Sequence, residues 1–405
     1  MSALAIGRTL FPIALIGLTL LIASTMLRVG FPNAWAQWLR RGVWAVVAIA
    51  VTGFVAWELL RVWMPHSGPA GLAMTVTSTV FASSLALAMS AVVWGPLAVV
   101  TRGVPVDQRR RAFLRGASGS LPMAAAATGP IGAASASTAP AFTEVEFKSK
   151  SVPAALDGLT ILQLTDVHLG VFIHEDQFQA VVDLVTARGI TPDLVVLTGD
   201  IADDLSQLPG ALAKLAPLAP PLGTFATIGN HEIYRGRRQA ERIYAEAGVG
   251  FLCDNGLVLE KNGAKLWLGG ADDPGRGGLD GSPTFMARTV DRAIADCPDD
   301  VSCKILLCHR PIGFVRARER GVTLTLSGHT HGAQMAVFGR SVLSPLWPES
   351  FLLGHYHHDH DDGRCHLYTS AGLGHWMPFR MNCPTEVVLV TLRTDRSGDA
   401  PDSVT

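Results

Sequence analysis

Five short apolar runs after residue 160 each end in side chains that can bind a metal ion. The carboxyl ends of parallel strands meet at one edge of a sheet, where the loops converge on a rigid support. The runs, each with the polar residues that follow it, are 161–165 with Asp166 and His168, 194–198 with Asp200, 225–228 with Asn230 and His231, 304–308 with His309, and 322–326 with His329 and His331. Turn residues and amphipathic stretches separate the runs, which predicts an α/β domain with its ligands at one sheet edge.

The chemistry of these blocks favours two metal ions. Oxygen and imidazole ligands without thiolates suit Mn, Fe, Zn, Co or Ni, and seven such groups are too many for one ion. The two-residue spacing of Asp166 and His168, and of His329 and His331, lets both members of each pair lean to one side of an extended backbone. Asp200 stands alone at the end of its run, and its carboxylate could bridge two cations.

The order of the blocks resembles a known family. D-x-H, G-D, G-N-H-[DE], H-x-P and G-H-x-H follow one another over about 165 residues, as in the calcineurin-like metallophosphoesterase superfamily. The resemblance covers roughly residues 156–392 and implies a four-layer α/β/β/α sandwich. The glycines after His331 and the segment 378–387 are similar to the membrane-associated bacterial branch, although Ala333 stands where that branch usually has a glycine.

The resemblance also implies roles for individual residues. The implied ligands are Asp166, His168, Asp200 and His331 for the first metal, and Asp200, Asn230, His309 and His329 for the second. A hydroxide between the metals would attack phosphorus, and His231 would act as general acid at the leaving group, with Glu232 orienting its ring. The implied reaction is hydrolysis of a phosphodiester or pyrophosphate bond, and the substrate is expected to be amphiphilic or lipid-linked.

The first hundred residues predict a membrane anchor. The mean hydropathy is +0.29 with 17% charged residues, which is too apolar for an ordinary soluble protein. Residues 9–27 form a charge-free run of about the ~20 residues that a spanning helix needs, and residues 42–57 and 71–100 continue the pattern. A soluble bundle is the alternative, but buried helices rarely stay apolar all round.

The expected organisation therefore has four parts. Transmembrane helices occupy 1–101, a basic loop that can hold a fourth span occupies 102–141, the catalytic domain occupies 142–395, and 396–405 form a disordered tail. The basic loop is expected in the cytoplasm, and Arg110 and those after it resemble a twin-arginine export signal.

Export would make this a multi-pass protein of the cell inner membrane with an extracytoplasmic catalytic domain. The alternative is an ordinary basic loop and a flexible linker, with the catalytic domain in the cytoplasm as a UDP-2,3-diacylglucosamine pyrophosphohydrolase of lipid A synthesis. A non-catalytic membrane sensor with the same fold is a third hypothesis. The net charge of -1 gives no sign of nucleic-acid binding.

Several features leave two interpretations open. Cys297 and Cys303 could form a disulfide or remain buried thiols. The histidine and acid cluster at 355–362 favours a solvated loop over a further metal site. Arg310 could clamp a second phosphate or serve the structure.

Three further apolar residues near the predicted cleft also allow two interpretations. Trp347, Phe351 and Leu352 could form an apolar lip for a lipid tail, or they could belong to the core.

Overall fold

The computed structural model describes most of the chain from residue 107 onward. The described residues are 107–395 apart from 171, 277–281, 361–362 and 376, together with 72–84, 86–87, 403–404 and single positions between 17 and 55. Apart from those single positions, the spans predicted at 9–27 and 42–57, and the end of the span at 71–100, lie outside the described residues. In the part that the structure describes, no helix has both the length and the apolar character that a bilayer crossing requires.

The basic loop predicted after the spans is a helix. Helix α1 covers Gln108–Ala136, and the side chain of Asp107 caps it by accepting a 2.8 Å hydrogen bond from the backbone N–H of Arg110. It contains the twin-arginine-like residues and the small residues behind them, so the expectation of a loop and flexible linker is wrong for this segment.

The chain divides into two compact units. The first is Met1–Thr138 with Met377–Met381, and the second is Ala139–Trp376 with Asn382–Thr405. Both large sheets lie in the second unit.

One sheet has seven strands in the order β15-β1-β14-β2-β3-β4-β5. Its strands are β1 (Ala141–Ser149), β2 (Leu159–Leu164), β3 (Leu194–Thr198), β4 (Thr224–Thr227), β5 (Gly250–Phe251), β14 (Glu386–Thr394) and β15 (Ser403–Val404). Strands β2 to β5 run parallel, whereas β14 pairs antiparallel with β2 and β15 with β1. Residues 403–404 of the predicted disordered tail thus form an edge strand.

The second sheet has six strands in the order β12-β13-β9-β8-β7-β6. Its strands are β6 (Asn255–Lys261), β7 (Ala264–Gly270), β8 (Cys303–Leu307), β9 (Leu324–Ser327), β12 (Gly354–His360) and β13 (Gly363–Thr369). The strands β7, β8, β9 and β13 are parallel neighbours, and an antiparallel strand closes each edge. Both sheets are therefore mixed.

The two sheets pack face to face, with helices on their outer faces. Phe147 and Ile161 of the first sheet share a buried core with Ile305 and Leu324 of the second. The helices over the first sheet are α2 (Glu175–Ala187), α3 (Leu208–Ala213) and α4 (Asn230–Glu246), and those over the second are α5 (Pro283–Ala293) and α6 (Phe314–Glu319). The α/β fold expected from the sequence is confirmed, and its strands β2, β3, β4, β8 and β9 lie within two residues of the predicted runs.

Candidate functional site

The loops after β2, β3, β4, β8 and β9 bring the predicted residues together. Three groups form there, and two of them consist of predicted ligands alone: Asp166 with His168 and His331, and Asp200 with His309 and His329. The third joins His168 to Asp203 and His231. Within each group, the three ligand atoms lie within 4.8 Å of one another. Because these residues come from strands of both sheets, the site depends on the packing of the two sheets.

In the first group, two ring nitrogens and a carboxylate converge. Nε2 of His331 lies 3.1 Å from Nε2 of His168 and 3.4 Å from Oδ1 of Asp166. Nδ1 of His168 lies 3.2 Å from Oδ2 of Asp203. Since this carboxylate accepts the Nδ1 proton, the lone pair of His168 is on Nε2 and points at the group.

In the second group, ring nitrogens of His309 and His329 also converge with a carboxylate, that of Asp200. Nδ1 of His309 donates to the carbonyl oxygen of Thr198 at 2.9 Å, which leaves the lone pair on Nε2. That Nε2 lies 3.2 Å from Oδ2 of Asp200 and 3.2 Å from Nδ1 of His329. A lone pair and a carboxylate oxygen at this distance repel each other unless a proton or a metal ion lies between them.

The donor set fits metal ions. Oδ1 of Asn230 is buried and accepts no hydrogen bond from the described residues, which is costly for an amide oxygen. Burial lowers the pKa of His309, but the charge of Asp200 outweighs burial and raises this pKa to about 10. In the protein without cations, a proton on His309 therefore compensates the buried charge of Asp200. A divalent cation could replace that proton.

The backbone at these positions is strained. Five of the seven predicted ligands have left-handed φ values, which non-glycine residues rarely adopt. They are Asp166 (51°), His168 (53°), Asp200 (53°), His329 (69°) and His331 (49°). Strain of this kind persists only where the surrounding structure imposes it, and it clusters at functional sites.

Glycines allow the ligand loops to approach one another. A Cβ atom built on Gly229 would overlap Oδ1 and the backbone N of Asp200, and one built on Gly328 would overlap Oδ2 of Asp166. A side chain at either position would push a carboxylate away from the site.

His231 borders the site and is held by a residue that the sequence reasoning missed. Its Nδ1 lies 2.6 Å from Oδ1 of Asp203, and its Nε2 lies 4.0 Å from Oδ2 of Asp200. Burial lowers the pKa of His231, but the charge of Asp200 and the hydrogen bond to Asp203 raise it to about 9. The sequence offered one indication of this role, a second aspartate three residues after Asp200.

Glu232 was expected to orient the ring of His231, but its carboxylate binds backbone groups instead. Its carboxylate accepts hydrogen bonds from the backbone N–H groups of Gly229, Asp200, Ile201 and Ala202, at distances between 2.6 and 3.1 Å. Glu232 thus fixes the loop that carries Asp200. The buried carboxylate connects two ligand loops that are distant in sequence.

Arg310 is buried and forms an ion pair with Asp273. Its Nε donates to Oδ2 of Asp273 at 2.8 Å, and its Nη2 donates to Oδ1 at 3.3 Å. Its Nη1 lies 3.0 Å from Nε2 of His329. The ion pair with Asp273 therefore holds the guanidinium against the ring of a predicted ligand.

A cavity of about 510 Å³ opens beside the two groups. Its lining includes polar residues such as His231 and Asn230, and also the apolar residues Ala333, Leu343 and Leu352. A phosphate group could meet the polar residues while an apolar moiety contacts the apolar ones.

Two features outside the cavity differ from expectation. Residues 355–360 of the cluster do not form a loop, because residues 354–360 form β12 and pair with β13, and 361–362 lie outside the described residues. Nε2 of His355 lies 3.0 Å from Nδ1 of the buried His366, which contacts the carbonyl oxygen of Lys148 through Nε2. All six cysteines are free, so Cys297 and Cys303 form no disulfide in this structure.

Comparison with known proteins gives related sequences. A family model described as calcineurin-like phosphoesterase matches residues 159–333. An uncharacterized metallophosphoesterase of Aquifex aeolicus is 31% identical over 243 residues, covering 58% of this chain and 85% of that protein. The uncharacterized metallophosphoesterase YkuE of Bacillus subtilis is 28% identical over 295 residues, 70% of this chain and 98% of the relative. A Danio rerio protein named transmembrane protein with metallophosphoesterase domain is 27% identical over 65% of this chain, which spans 59% of that relative.

Proposed function

The chain belongs to the calcineurin-like metallophosphoesterases, and from this premise we propose that it hydrolyses a phosphodiester or pyrophosphate bond with a dinuclear metal centre. The proposal rests above all on the two groups of convergent lone pairs beside one cavity. As an enzyme of this family the chain is a metal-dependent hydrolase, and the number of metals and the bond cleaved are proposed here.

The ligands proposed for the two cations follow the two groups. Asp166, His168 and His331 would hold one cation, His309, His329 and Asn230 the other, and Asp200 would be shared. Two bound divalent cations would supply a nucleophile from water at neutral pH and neutralise charge on the phosphoryl oxygens. The outer partners Asp203 and the carbonyl oxygen of Thr198 fix the ring orientations of His168 and His309, which leaves both Nε2 lone pairs available to bound cations.

His231 is the proposed proton donor to the leaving group. Nδ1 is occupied by Asp203, so Nε2 is the atom that can reach a substrate in the cavity. As the bond from phosphorus to the leaving oxygen breaks, Nε2 would give its proton to that oxygen. The hydrogen bond from Nδ1 to the carboxylate of Asp203 favours the protonated ring, which a general acid requires.

Hydrolysis of bis-p-nitrophenyl phosphate by the purified full chain with Mn²⁺ tests the proposal. Asp200→Asn should lower kcat/KM by at least ~100-fold, because it removes the shared ligand and its charge. Asp183→Asn is the matched control, since this exposed aspartate of α2 lies outside the site. A metal-loaded wild-type protein inert on phosphodiesters and pyrophosphates, or equal activity of Asp200→Asn and wild type, would contradict the proposal.

We also propose that the substrate is amphiphilic and that residues 9–27 anchor the chain in a membrane. The charge-free run in the sequence and the apolar residues Leu343 and Leu352 of the cavity lining support this. The printed name of the Danio rerio relative agrees with an anchor.

The side of the membrane on which the catalytic unit lies is a separate proposal. We favour export, because the residues from Arg110 onward resemble a twin-arginine signal. Alkaline phosphatase and fluorescent protein fused in turn to Thr405 would report the side, since the phosphatase is active only outside the cytoplasm. A fluorescent but phosphatase-inactive pair would assign the unit to the cytoplasm.

A further inference from the structure

One stretch of the catalytic unit exposes a cluster of large apolar side chains. Among the described residues of this unit, seven large apolar residues are exposed, and five of them lie within residues 337–347. We call residues 337–347 the apolar segment, and its exposed members are Val337, Phe338, Val342, Leu346 and Trp347. Single exposed apolar residues are ordinary, but a contiguous group of them marks an interaction surface.

The apolar segment begins with a tight hairpin. Strands β10 (Ala336–Val337) and β11 (Arg340–Ser341) pair antiparallel around Phe338 and Gly339, whose φ values are 51° and 73°. Positive φ at both central residues defines a turn that favours Asn-Gly, and phenylalanine is unfavourable at the first position. Phe338 is 101% exposed, so no packing against the residues that the structure describes offsets this cost. Neither local conformation nor the core explains a phenylalanine at this tip.

The apolar segment is continuous with the wall of the catalytic cavity. Leu343 lies inside the segment and lines the cavity together with Leu352. Thr330, between the two ligands His329 and His331, donates a 2.6 Å hydrogen bond to the carbonyl oxygen of Leu352. The exposed cluster therefore adjoins the place where a phosphate ester would react.

We infer that the apolar segment inserts into the interface of an anionic bilayer and delivers the acyl part of a membrane-resident phosphate ester to the cavity. This inference rests on the proposed function, because it names where that substrate lies. Tryptophan and phenylalanine are favoured at the boundary between headgroups and acyl chains. Arg340 is exposed and is the only charged residue in the sequence from 336 to 348, so the segment is apolar with one cation for anionic headgroups.

The exposed area favours a bilayer over a protein partner. The five side chains expose on the order of 500 Å² in total, and a stable protein interface takes about 800 Å² from each partner. A hairpin tip whose leading residue is fully exposed also presents a projection and not a flat face. A bilayer sets no such minimum, because each inserted side chain contributes separately.

Quenching of Trp347 by brominated lipid tests the inference. The full chain is reconstituted in phosphatidylcholine vesicles containing phosphatidylglycerol, with acyl chains that are brominated or unbrominated. The difference between wild type and Trp347→Phe isolates the signal of Trp347 from the other eight tryptophans. We expect this signal to be quenched by brominated chains, as it would be for a ring lying in the bilayer interface.

Phe338→Asn separates membrane contact from folding. This change creates the Asn-Gly sequence that the turn prefers, so the melting temperature should stay equal or rise. Loss of a fully exposed phenylalanine from the bilayer should lower the ratio of inserted to detached hairpin about tenfold, and the quenching of Trp347 should fall with it. Val258→Asn, at an exposed valine of β6, should leave the quenching unchanged.

Activity on bis-p-nitrophenyl phosphate distinguishes the two proposals. Wild type that cleaves this soluble ester while Trp347 remains unquenched would overturn the membrane inference and leave the proposed function intact. If Trp347 remains unquenched and two copies of the chain can be cross-linked through the apolar segment, the segment would be a protein interface and the membrane inference would be overturned. Quenched Trp347 in a chain inert on every phosphate ester would retain the membrane contact and remove the proposed substrate delivery.

Discussion

Replacing Asp203 with asparagine tests how the proposed proton donor is held. The carboxylate contacts Nδ1 of His231 at 2.6 Å and Nδ1 of His168 at 3.2 Å. Burial raises the pKa of Asp203, but the hydrogen bonds from the two histidines hold it well below its usual range, so the group is charged. Asparagine keeps the shape and removes the charge, and one of its two ends can still accept a hydrogen bond.

The expected size of the effect follows from the loss of that charge. A hydrogen bond to a charged group contributes about 1.5–3 kcal/mol, against about 0.5–1.5 kcal/mol for a neutral one. A loss of about 1 to 1.5 kcal/mol in the hydrogen bond that holds the ring of His231, carried into the barrier of the step that needs its proton, slows that step about tenfold. The weaker hold on His168 should also reduce metal affinity by about 10- to 100-fold, so rates must be compared at saturating Mn²⁺.

The assay compares two leaving groups at saturating Mn²⁺. Hydrolysis of bis-p-nitrophenyl phosphate releases a stable phenolate that needs little protonation, whereas a phenyl or alkyl phosphodiester releases a poor leaving group. Asp203→Asn should therefore slow the second substrate about tenfold more than the first. Asp204→Asn is the matched control, because Asp204 bonds to Ser206 and lies next to Asp203 in sequence. Equal losses on both substrates would refute the role of His231 as acid.

Three further outcomes are expected. Removal of metal with EDTA should abolish hydrolysis and lower the melting temperature, with recovery on adding Mn²⁺, because cations that bind the folded chain stabilise it against unfolding; a chelated enzyme of full activity would contradict this. Gly328→Ala should lower activity far more than its roughly 1–3 kcal/mol loss of stability would suggest, since the new Cβ displaces Asp166, and kcat/KM with a melting curve checks it. In the metal-free protein, the pKa of His231 is raised from 6.5 to about 9, so its stabilising contribution is complete below pH 6.5 and is lost as the pH rises through 9. The melting temperature of wild type should therefore fall between these pH values. The melting temperature of His231→Gln should fall less.

The strands that carry the site could be predicted because they are buried on both faces. All five residues of β3 are buried, and a continuous apolar run followed by Gly199 and Asp200 is typical of such a parallel strand. The edge strand β12 could not be predicted in the same way. Its sequence is dominated by histidine and aspartate, and pairing with β13 determines its conformation instead of an apolar alternation.

The contacts between loops were beyond the sequence for a different reason. Glu232 was expected to act on its neighbour His231, but its carboxylate binds the backbone of a loop some thirty residues earlier. Asp203 likewise contacts rings from two different strand ends. Spacing along a strand predicts which side chains share an edge, but the direction of a side chain in a loop depends on the loop that faces it.

The arrangement of strain and support explains how such a site can exist in a folded chain. Each left-handed non-glycine residue in the ligand loops costs on the order of 1–3 kcal/mol, and the buried carboxylates of Asp166 and Asp200 add to that cost. The strained residues begin directly where β2, β3 and β9 end, and the core between the two sheets fixes these strands. Glu232 then holds the loop of Asp200 through backbone N–H groups, and the ion pair with Asp273 holds Arg310 beside His329. The sheets and these outer contacts stabilise the strained loops, so the lone pairs of the ligands stay directed at the place where cations would bind.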